Sequence, residues 1–416
     1  MRHIGCMNTD FDIIIVGGGL NGPALALALG QAGMNLAVVD ARAADMRGAA
    51  GFDGRAYAIA AASQRLLSAI GVWPALADHA QPMLHIKTTD GVVGRGPAPF
   101  FMTFDHAELG AGPMGYMVED RHVYAGFLAA MQGQEKITLI SGQSVVAQDV
   151  KAGNANVTLA DGHVLTARLI VGADGRTSGV ASRAGITRWG WEYGQTALVT
   201  AIHHEKPHGG TAHQYFLPSG PLAILPLHGG HHSSIVWSEK TALAAQIQAL
   251  DDAGYLAALR PRFGDFLGQI TLAGARFTYP LNLTVAKEFT APRIALIGDA
   301  AHGVHPIAGQ GLNLGLRDVA ALAEVLTDAA RLGLDIGAAN VLARYQEWRR
   351  FDTTLMALGM DGVNKLFSND NPVLRGLRDM GMGAVAAMPA LRRAFMGKAA
   401  GVAGEGMPRL LRGERV

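Results

Sequence analysis

The feature that most constrains the fold is a glycine-rich turn near the N-terminus, between a predicted strand and a predicted helix. Phe11 to Val16 is a β-branched run of strand length, and Pro23 to Gln31 is rich in helix-forming residues. Gly17, Gly19 and Gly22 stand between them with the spacing Gly-x-Gly-x-x-Gly. We expect Gly17 to make a tight turn, Gly19 to admit a pyrophosphate, and Gly22 to allow close helix–strand packing.

An acidic residue completes this pattern. Leu36 to Val39 predicts a second short strand, and Asp40 stands at its end. In a dinucleotide-binding fold, an acid at this place accepts hydrogen bonds from the adenosine ribose, and it argues against a bound 2′-phosphate. The alternative is a turn whose glycines are purely structural. The combined pattern favours nucleotide binding.

A second strand–turn–helix unit runs from Arg293 to Leu326. Arg293 to Ile297 predicts a buried strand, and Asp299 follows it. The glycines before Leu312 expose backbone N–H groups at a helix that we expect to begin near Gly311, which suits an anion. Arg317, Asp318 and Glu324 lie away from the apolar stripe of this helix. The stripe consists of Leu312, Leu316, Val319, Leu322 and Ala323. The unit is either the wall of a cofactor site or a plain crossover.

Three further residues are candidates for the same site. Asp174 follows the predicted buried strand Leu169 to Val171, at the edge where ligands bind in open α/β sheets, although it equally suits a turn. Arg55 either pairs with phosphate or anchors its loop. Arg121, in the first turn of a predicted helix, either contacts a cofactor or is solvated.

The remaining elements predict a second, antiparallel region. We expect edge strands and turns from Met83 to Met102, and an antiparallel sheet from Glu192 to Pro280 with one helix between Ala242 and Leu259. A β-meander is predicted over four segments: Ile137 to Ile140, Ser144 to Asp149, Ala155 to Leu159 and His163 to Thr166. The C-terminal part is predicted to be helical.

Composition limits the function classes. With 35 Lys and Arg against 34 Asp and Glu, no whole-protein field recruits nucleic acid. The single cysteine, Cys6, excludes an intramolecular disulfide and a redox pair. Several histidines near turns lack the carboxylates or cysteines at ligand spacing that a metal site needs, so we expect no metal there. They are His203, His204, His228, His231 and His232.

Cellular location is predicted from the ends and the apolar runs. We expect a cytoplasmic protein, because no secretory signal or membrane-spanning run is visible. The basic, Met-rich C-terminal tail suits either peripheral contact with the inner face of a membrane or a solvated helix.

Taken together, the motifs resemble those of the FAD-dependent aromatic hydroxylases, the family that includes para-hydroxybenzoate hydroxylase. The resemblance rests on the glycine fingerprint with Asp40, on Asp174-Gly175-Arg176, and on Gly298-Asp299 followed by His302, His305-Pro306 and Gly309-Gln310-Gly311-Leu312-Asn313. Features that resemble the ubiquinone-biosynthesis branch are Asp53-Gly54-Arg55-Ala56-Tyr57-Ala58, Leu225-Pro226, Tyr279-Pro280-Leu281 and the segment Phe367 to Arg378. One departure is that the arginine expected soon after Ser178 comes only at Arg183.

The resemblance implies an α/β fold in which a Rossmann-like FAD-binding domain is interleaved with an antiparallel-sheet substrate domain and followed by a helical segment. The implied FAD-binding parts are 8–82, 105–185 and 281–337, the substrate parts are 83–104 and 186–280, and 338–416 is helical. Twelve residues are implied to hold FAD: Gly17, Gly19, Gly22, Asp40, Arg55, Arg121, Asp174, Asp299, Gly309, Gly311, Leu312 and Asn313. His305 and Pro306 are implied to face the substrate.

The implied reaction is hydroxylation of a prenylated phenol in ubiquinone biosynthesis, with O2 added to the reduced flavin as a C4a-hydroperoxide and NAD(P)H as the electron donor. No separate nucleotide fold for NAD(P)H is visible in the sequence. The alternatives are a hydroxylase of another aromatic compound, an oxidase of the same fold, and a non-catalytic FAD-binding component of a lipid-biosynthesis complex.

Overall fold

A computed structural model of the chain describes residues 9–43, 51–94, 96–97, 102–108, 112–304, 309–367, 388, 397, 400–401 and 406–416. Its strands form three sheets. Strands and helices are each numbered here in chain order.

The first sheet is largely parallel and starts with the strand before the glycine turn. Its central strand pairs in parallel with its two neighbours, and the buried isoleucines Ile13, Ile14 and Ile15 lie within it. Burial on both faces explains the continuous apolar run in the sequence. The members of this sheet are β1 (Phe11–Val16), β2 (Leu36–Asp40), β9 (Ile137–Ser141), β10 (Val145–Val150), β11 (Ala155–Leu159), β12 (Val164–Gly172), β19 (Thr290–Ala291) and β20 (Ile294–Leu296).

The predicted β-meander is wrong at both ends. β9 pairs in parallel with β2 and not with β10, so only β10, β11 and β12 form a meander. A helix precedes β9, and a chain that crosses a sheet through a helix returns parallel. The segment His163 to Thr166 is not a separate strand, because β12 continues through it to Gly172.

The second sheet is larger and mostly antiparallel, and a third, small sheet packs beside it. The second sheet contains β5 (His85–Val92), β6 (Gly96–Pro97), β7 (Met102–Asp105), β13 (Arg188–His204), β14 (Thr211–Leu217), β15 (Gly220–Pro226), β16 (His232–Lys240), β17 (Ile270–Leu272), β18 (Phe277–Ala286) and β21 (His302–Gly303). The third contains β3 (Ala56–Ala60), β4 (Gln81–Pro82) and β8 (Gly115–Glu119). The predicted combination of a parallel and an antiparallel sheet is confirmed.

The prediction of edge strands from Met83 to Met102 needs correction for β5. This strand pairs in parallel with β14 on one side and antiparallel with β7 on the other, so it has neighbours on both sides. The glycines and prolines that favour an edge lie from Gly91 onward, which leaves His85 to Asp90 free to pair on both sides.

The helices cover these sheets. Between β16 and β17 the chain forms two helices instead of the single one predicted. The first ends at Gln248, and Asp251 caps the second by accepting from the Gly254 amide at 2.8 Å. The helices are α1 (Asn21–Gln31), α2 (Ala61–Ala69), α3 (Asp120–Gln132), α4 (Gly179–Arg183), α5 (Thr241–Gln248), α6 (Asp252–Phe263), α7 (Gln310–Arg331), α8 (Ala339–Phe367) and α9 (Arg409–Arg412).

The helix α7 begins within one residue of the predicted start, but its polar face is partly wrong. Asp318, which the apolar stripe leaves on the outside, is completely buried. The reason is that α7 packs against α1 on one side and α8 on the other, so most of its circumference is covered. Within the described residues, no helix is both long enough and apolar enough to cross a membrane.

Candidate active site

The glycine turn after β1 has the geometry of a phosphate cradle. Gly17 has φ +115°, and a Cβ there would lie 2.3 Å from the Ala173 carbonyl oxygen. A Cβ on Gly22 would lie 2.0 Å from the Gly17 carbonyl oxygen. In contrast, a Cβ on Gly19 would meet nothing within 4 Å. Gly17 and Gly22 are therefore required by packing, while Gly19 faces open space in which a pyrophosphate fits.

Asp40 closes a cleft beside this turn. Its side chain is buried, and Oδ1 accepts from the Arg42 amide at 2.9 Å. The cleft combines this carboxylate with aromatic and aliphatic side chains, which suits an adenosine group. It is lined by Gly18, Pro23, Asp40, Arg42, Tyr124, Phe127, Leu128, Met131, Leu139 and Ser141.

Two arginines hold the turn that carries Asp299. The turn spans Gly298 to Ala300 after β20. Arg176 Nε donates to Asp299 Oδ2 at 3.1 Å, and Arg188 donates to the carbonyl oxygens of Asp299, at 3.3 Å, and of Ala300. Burial lowers the pKa of Arg188, against the influence of nearby Asp174 and Asp299. The Asp299 side chain remains 42% exposed and so is open to a ligand.

Asp174 serves the turn after β12. Its Oδ1 accepts from Ser178 Oγ at 2.5 Å, and its Oδ2 accepts from the Val180 amide at 3.1 Å. Ser178 in turn caps α4 by accepting from the Ala181 amide at 3.0 Å. Both carboxylate oxygens thus have partners within the chain. This agrees with Asp174 as a turn residue, one of the two interpretations that the sequence leaves open.

The N-terminus of α7 is built from glycines and a buried asparagine. Gly309, at φ +63°, is the N-cap residue of the helix and has no side chain with which to cap it. Gly311 faces open space, since a Cβ there would meet nothing within 4 Å. The buried Asn313 side chain is used inside the protein: Oδ1 accepts from the Ala60 amide at 2.8 Å, and Nδ2 donates to the carbonyl oxygens of Ala58, at 2.9 Å, and Gly309, at 3.0 Å. Asn313 therefore fixes the helix start against β3.

An apolar cluster lies where the large sheet meets β3 and β8, and is called the interface cluster here. Gly309 reaches it, because a Cβ on Gly309 would lie 2.7 Å from Ala58 Cβ. Most members have small or flexible side chains. They are Ala58, Met83, Met117, Ala201, Ala212 and Leu227, with Phe52, Ala56, Ile86, Leu225 and Ala273 packed against them.

These observations describe the parts of a dinucleotide site: a phosphate cradle, an acidic adenosine cleft and a glycine-rich helix start. The family described as FAD binding domain matches residues 10–351. The chain belongs to this FAD-binding family.

Its relatives place it among the monooxygenases of that family. It is 46% identical over 404 residues to the ubiquinone hydroxylase UbiL of Rhodospirillum rubrum, covering 97% of the chain and 92% of the relative. It is 37% identical to the 3-demethoxyubiquinol 3-hydroxylase of Escherichia coli, covering 95% of the chain and 100% of the relative. The chain is thus an FAD-dependent monooxygenase in the branch that contains the ubiquinone-biosynthesis hydroxylases.

A solved structure has the same fold. The p-nitrophenol 4-monooxygenase PnpA of Pseudomonas putida DLL-E4 superimposes with a TM-score of 0.79 at 20% identity, covering 96% of this chain and 100% of that one. The similarity shows the fold alone.

The two predicted arginines of the site are paired with acids of the chain. Arg55 contacts Asp53 at 2.7 Å and Asp120 at 3.2 Å, and its hydrogen bond to Asp53 raises its pKa. Arg121 Nε donates to Glu119 at 2.7 Å. Both side chains are about one-third exposed, at 38% and 33%, so each keeps a surface for a ligand.

Some predicted residues lie elsewhere or cannot be placed. His305 and Pro306 fall outside the described residues. Arg183 donates to Gln148 at 3.3 Å, away from the Asp299 turn. The contacts of Arg176 and Arg188 with that turn were not predicted. Arg176 belongs to the Asp174-Gly175-Arg176 motif, but no sequence signal points to Arg188.

Four of the histidines near turns contact one another at the end of β13 and β16: His203, His204, His231 and His232. The His203 and His232 ring centroids are 5.0 Å apart, and His204 Nε2 lies 3.0 Å from Ser233 Oγ. Burial lowers the pKa of His204 and of His232.

Proposed function

We propose that this monooxygenase hydroxylates the aromatic ring of a prenylated phenol in ubiquinone biosynthesis, with O2 as the second substrate. The observation that carries the proposal is the contact between the glycine-rich start of α7 and the interface cluster at Gly309 and Ala58. It puts first-turn N–H groups beside an apolar wall. The names of the relatives in Rhodospirillum rubrum and Escherichia coli support the substrate class.

The proposed contacts with FAD follow the placement of the segments. Gly17, Gly19 and Gly22 lie where the pyrophosphate passes, and Asp40 lies where the adenosine ribose binds. Asp299 takes the middle of the cofactor. Bound FAD supplies the activation of O2, which amino-acid side chains cannot provide.

The chain's own contribution at the reactive ring is electrostatic. We assign Gly309, Gly311, Leu312 and Asn313 to this end, where the N–H groups of the first turn of α7 stabilise negative charge on the flavin ring without a formal cation. The interface cluster excludes water from the same place. An apolar wall of this kind also suits a prenylated ring.

The remaining assignments rest on the family resemblance. Arg55 and Arg121 are proposed to contact FAD through their exposed faces, and Asp174 to act near the pyrophosphate. His305 and Pro306 are proposed to lie at the substrate face of the flavin.

Isotope labelling tests the reaction. The purified protein is incubated with FAD, a reductant, 18O2 and a panel of phenols with and without prenyl chains. We expect one labelled oxygen in the ring of a prenylated product. Unlabelled product would indicate an oxidase instead, and turnover of only unprenylated phenols would indicate a hydroxylase of another aromatic compound.

We propose NAD(P)H as the electron donor, docking transiently because the sequence contains a single glycine fingerprint. Anaerobic mixing with NADH or NADPH should bleach the flavin within the turnover time. A flavin that stays oxidised with both nucleotides, but is reduced by a cell extract, would point to a protein donor.

We propose a cytoplasmic protein with peripheral contact to the membrane that holds its apolar substrate. Support comes from an exposed apolar stripe on α8, in which Phe351 is 75% exposed, Leu355 59%, Leu358 45% and Leu366 44%. Such a stripe suits the surface of a bilayer.

Vesicle sedimentation tests this contact. Replacing Phe351 and Leu355 with serine should release the protein from anionic vesicles. Leu332→Ser is the control, because Leu332 is equally exposed, at 71%, but lies outside the stripe at the end of α7. Equal sedimentation of all three proteins would contradict membrane contact and leave a quinone-biosynthesis complex as the reason for the stripe.

We also propose the domain division 8–82, 105–185 and 281–337 for FAD binding, 83–104 and 186–280 for substrate, and 338–416 as the helical segment. The parallel sheet draws its strands from the first group, and most strands of the large sheet come from the second. Limited proteolysis should cut first near these boundaries.

A further inference from the structure

One buried carboxylate joins three elements behind the cofactor site. Asp318 of α7 is 0% exposed. Its Oδ2 accepts from the Gly298 amide at 2.9 Å and lies 2.6 Å from His302 Nε2. Its Oδ1 accepts from Arg349 Nε of α8 at 2.8 Å. A single side chain therefore connects α7, α8 and the turn that begins at Gly298.

The connected elements are the ones that face the cofactor. Gly298, at φ +58°, starts the turn that presents Asp299, and α7 presents its first-turn N–H groups. Asn21 of the glycine fingerprint packs between the two, because a Cβ on Gly298 or Gly315 would lie 2.2 Å or 2.3 Å from its Nδ2. The spacing of the cofactor-facing segments is thus set at this junction, and Asp318 is its charged member.

The surroundings of Asp318 demand an acceptor with a full negative charge. Burial acts to raise the pKa of Asp318, but His302 and Arg349 together bring it below its usual value. Three donors face its two oxygens. An asparagine offers only one oxygen, and its amino group would oppose one of these donors.

We propose that Asp318 is a positioning residue for FAD: it fixes the Asp299 turn against the start of α7, with His302 and Arg349 holding its carboxylate in place. The inference rests on the proposed cofactor contacts of Asp299 and of α7. The competing explanation is a buried ion pair that stabilises the fold and has no influence on the cofactor.

A matched variant separates the two explanations. Glu239 is also buried and ion-paired, with 2% of its side chain exposed and Arg262 at 3.1 Å, but it belongs to β16 of the large sheet. We therefore compare Asp318→Asn with Glu239→Gln. FAD affinity of the deflavinated protein, its denaturant midpoint, and the absorption spectrum and reduction potential of bound flavin are measured for both.

We expect both variants to lose stability, but only Asp318→Asn to bind FAD about 10- to 100-fold more weakly, as the loss of hydrogen bonds to a charged group implies. Its bound flavin should also have a shifted spectrum and potential. Affinity within about twofold of the wild type, with an unchanged spectrum, would overturn the proposal.

A second pair keeps the test decisive when Asp318→Asn does not fold. His302→Gln retains an N–H near the position of Nε2 and should keep FAD affinity, whereas His302→Leu removes the donor and should weaken it. Equal FAD affinity for these two variants would refute the positioning role. Because FAD binding is measured without substrate, the result does not depend on which ring is hydroxylated.

Discussion

Replacing Asn313 with alanine removes three hydrogen bonds of a buried side chain, two of which hold the start of α7 against β3. The bonds join Asn313 to Ala60, Ala58 and Gly309 at 2.8 to 3.0 Å, and Asn313 is 2% exposed. At about 1 kcal/mol each, their loss costs about 3 kcal/mol. Alanine recovers up to about 0.7 kcal/mol through its helix propensity. We therefore expect the free energy of unfolding to fall by about 2 to 3 kcal/mol.

Urea unfolding of the deflavinated protein measures this loss, and FAD titration measures its effect on the site. Asn313→Ala should also weaken FAD binding, because the helix start is no longer fixed. Asn340→Ala is the control, since Asn340 is exposed at the beginning of α8. A loss of less than about 1 kcal/mol in Asn313→Ala would refute the reasoning, because even one of the three bonds accounts for that much.

Three other predictions concern the cofactor and pH. Gly22→Ala should purify without flavin, since its Cβ would lie 2.0 Å from a carbonyl oxygen, whereas Gly359→Ala, with nothing within 4 Å, should be yellow. Asp299→Ala should lose FAD and activity while its circular dichroism is unchanged; wild-type flavin content would contradict this. Burial, with a smaller effect of Lys87, lowers the pKa of His213 to about 4. As pH falls below about 6.5, His213 therefore takes up a proton in the unfolded chain before it does so in the folded protein. The free energy of unfolding should fall between about pH 6.5 and 4, by at most about 3 kcal/mol. His213→Gln should reduce this slope in pH-dependent urea unfolding, and an unchanged slope would speak against it.

The cofactor side of the fold was predictable because its signals are local. The glycine turn, Asp40 and the start of α7 each lie within one short strand–turn–helix unit. Glycine spacing and apolar periodicity specify such units. The structure places each within a residue or two of its predicted position.

The errors concern contacts between distant segments. β9 and β5 have strand-like sequences, but nothing in them tells which neighbour they pair with. Asp318 was assigned to the outer face because periodicity describes one helix at a time, and its burial depends on Arg349 from another helix. Arg188 likewise reaches the Asp299 turn from a strand more than a hundred residues earlier.

The parallel pairing of β12 with β20 has a consequence for synthesis of the protein. The glycine turn near Gly17 leaves the ribosome long before β20 and α7, which complete the same sheet and site. The edge that receives β20 is β12, which is complete at Gly172, about 120 residues before Ile294. At about 5 to 20 residues per second, this delay lasts about 6 to 24 s. During that time the apolar edge of the nascent sheet lacks its final partner. A nascent chain released before Asn313 should therefore bind no flavin and depend on chaperones.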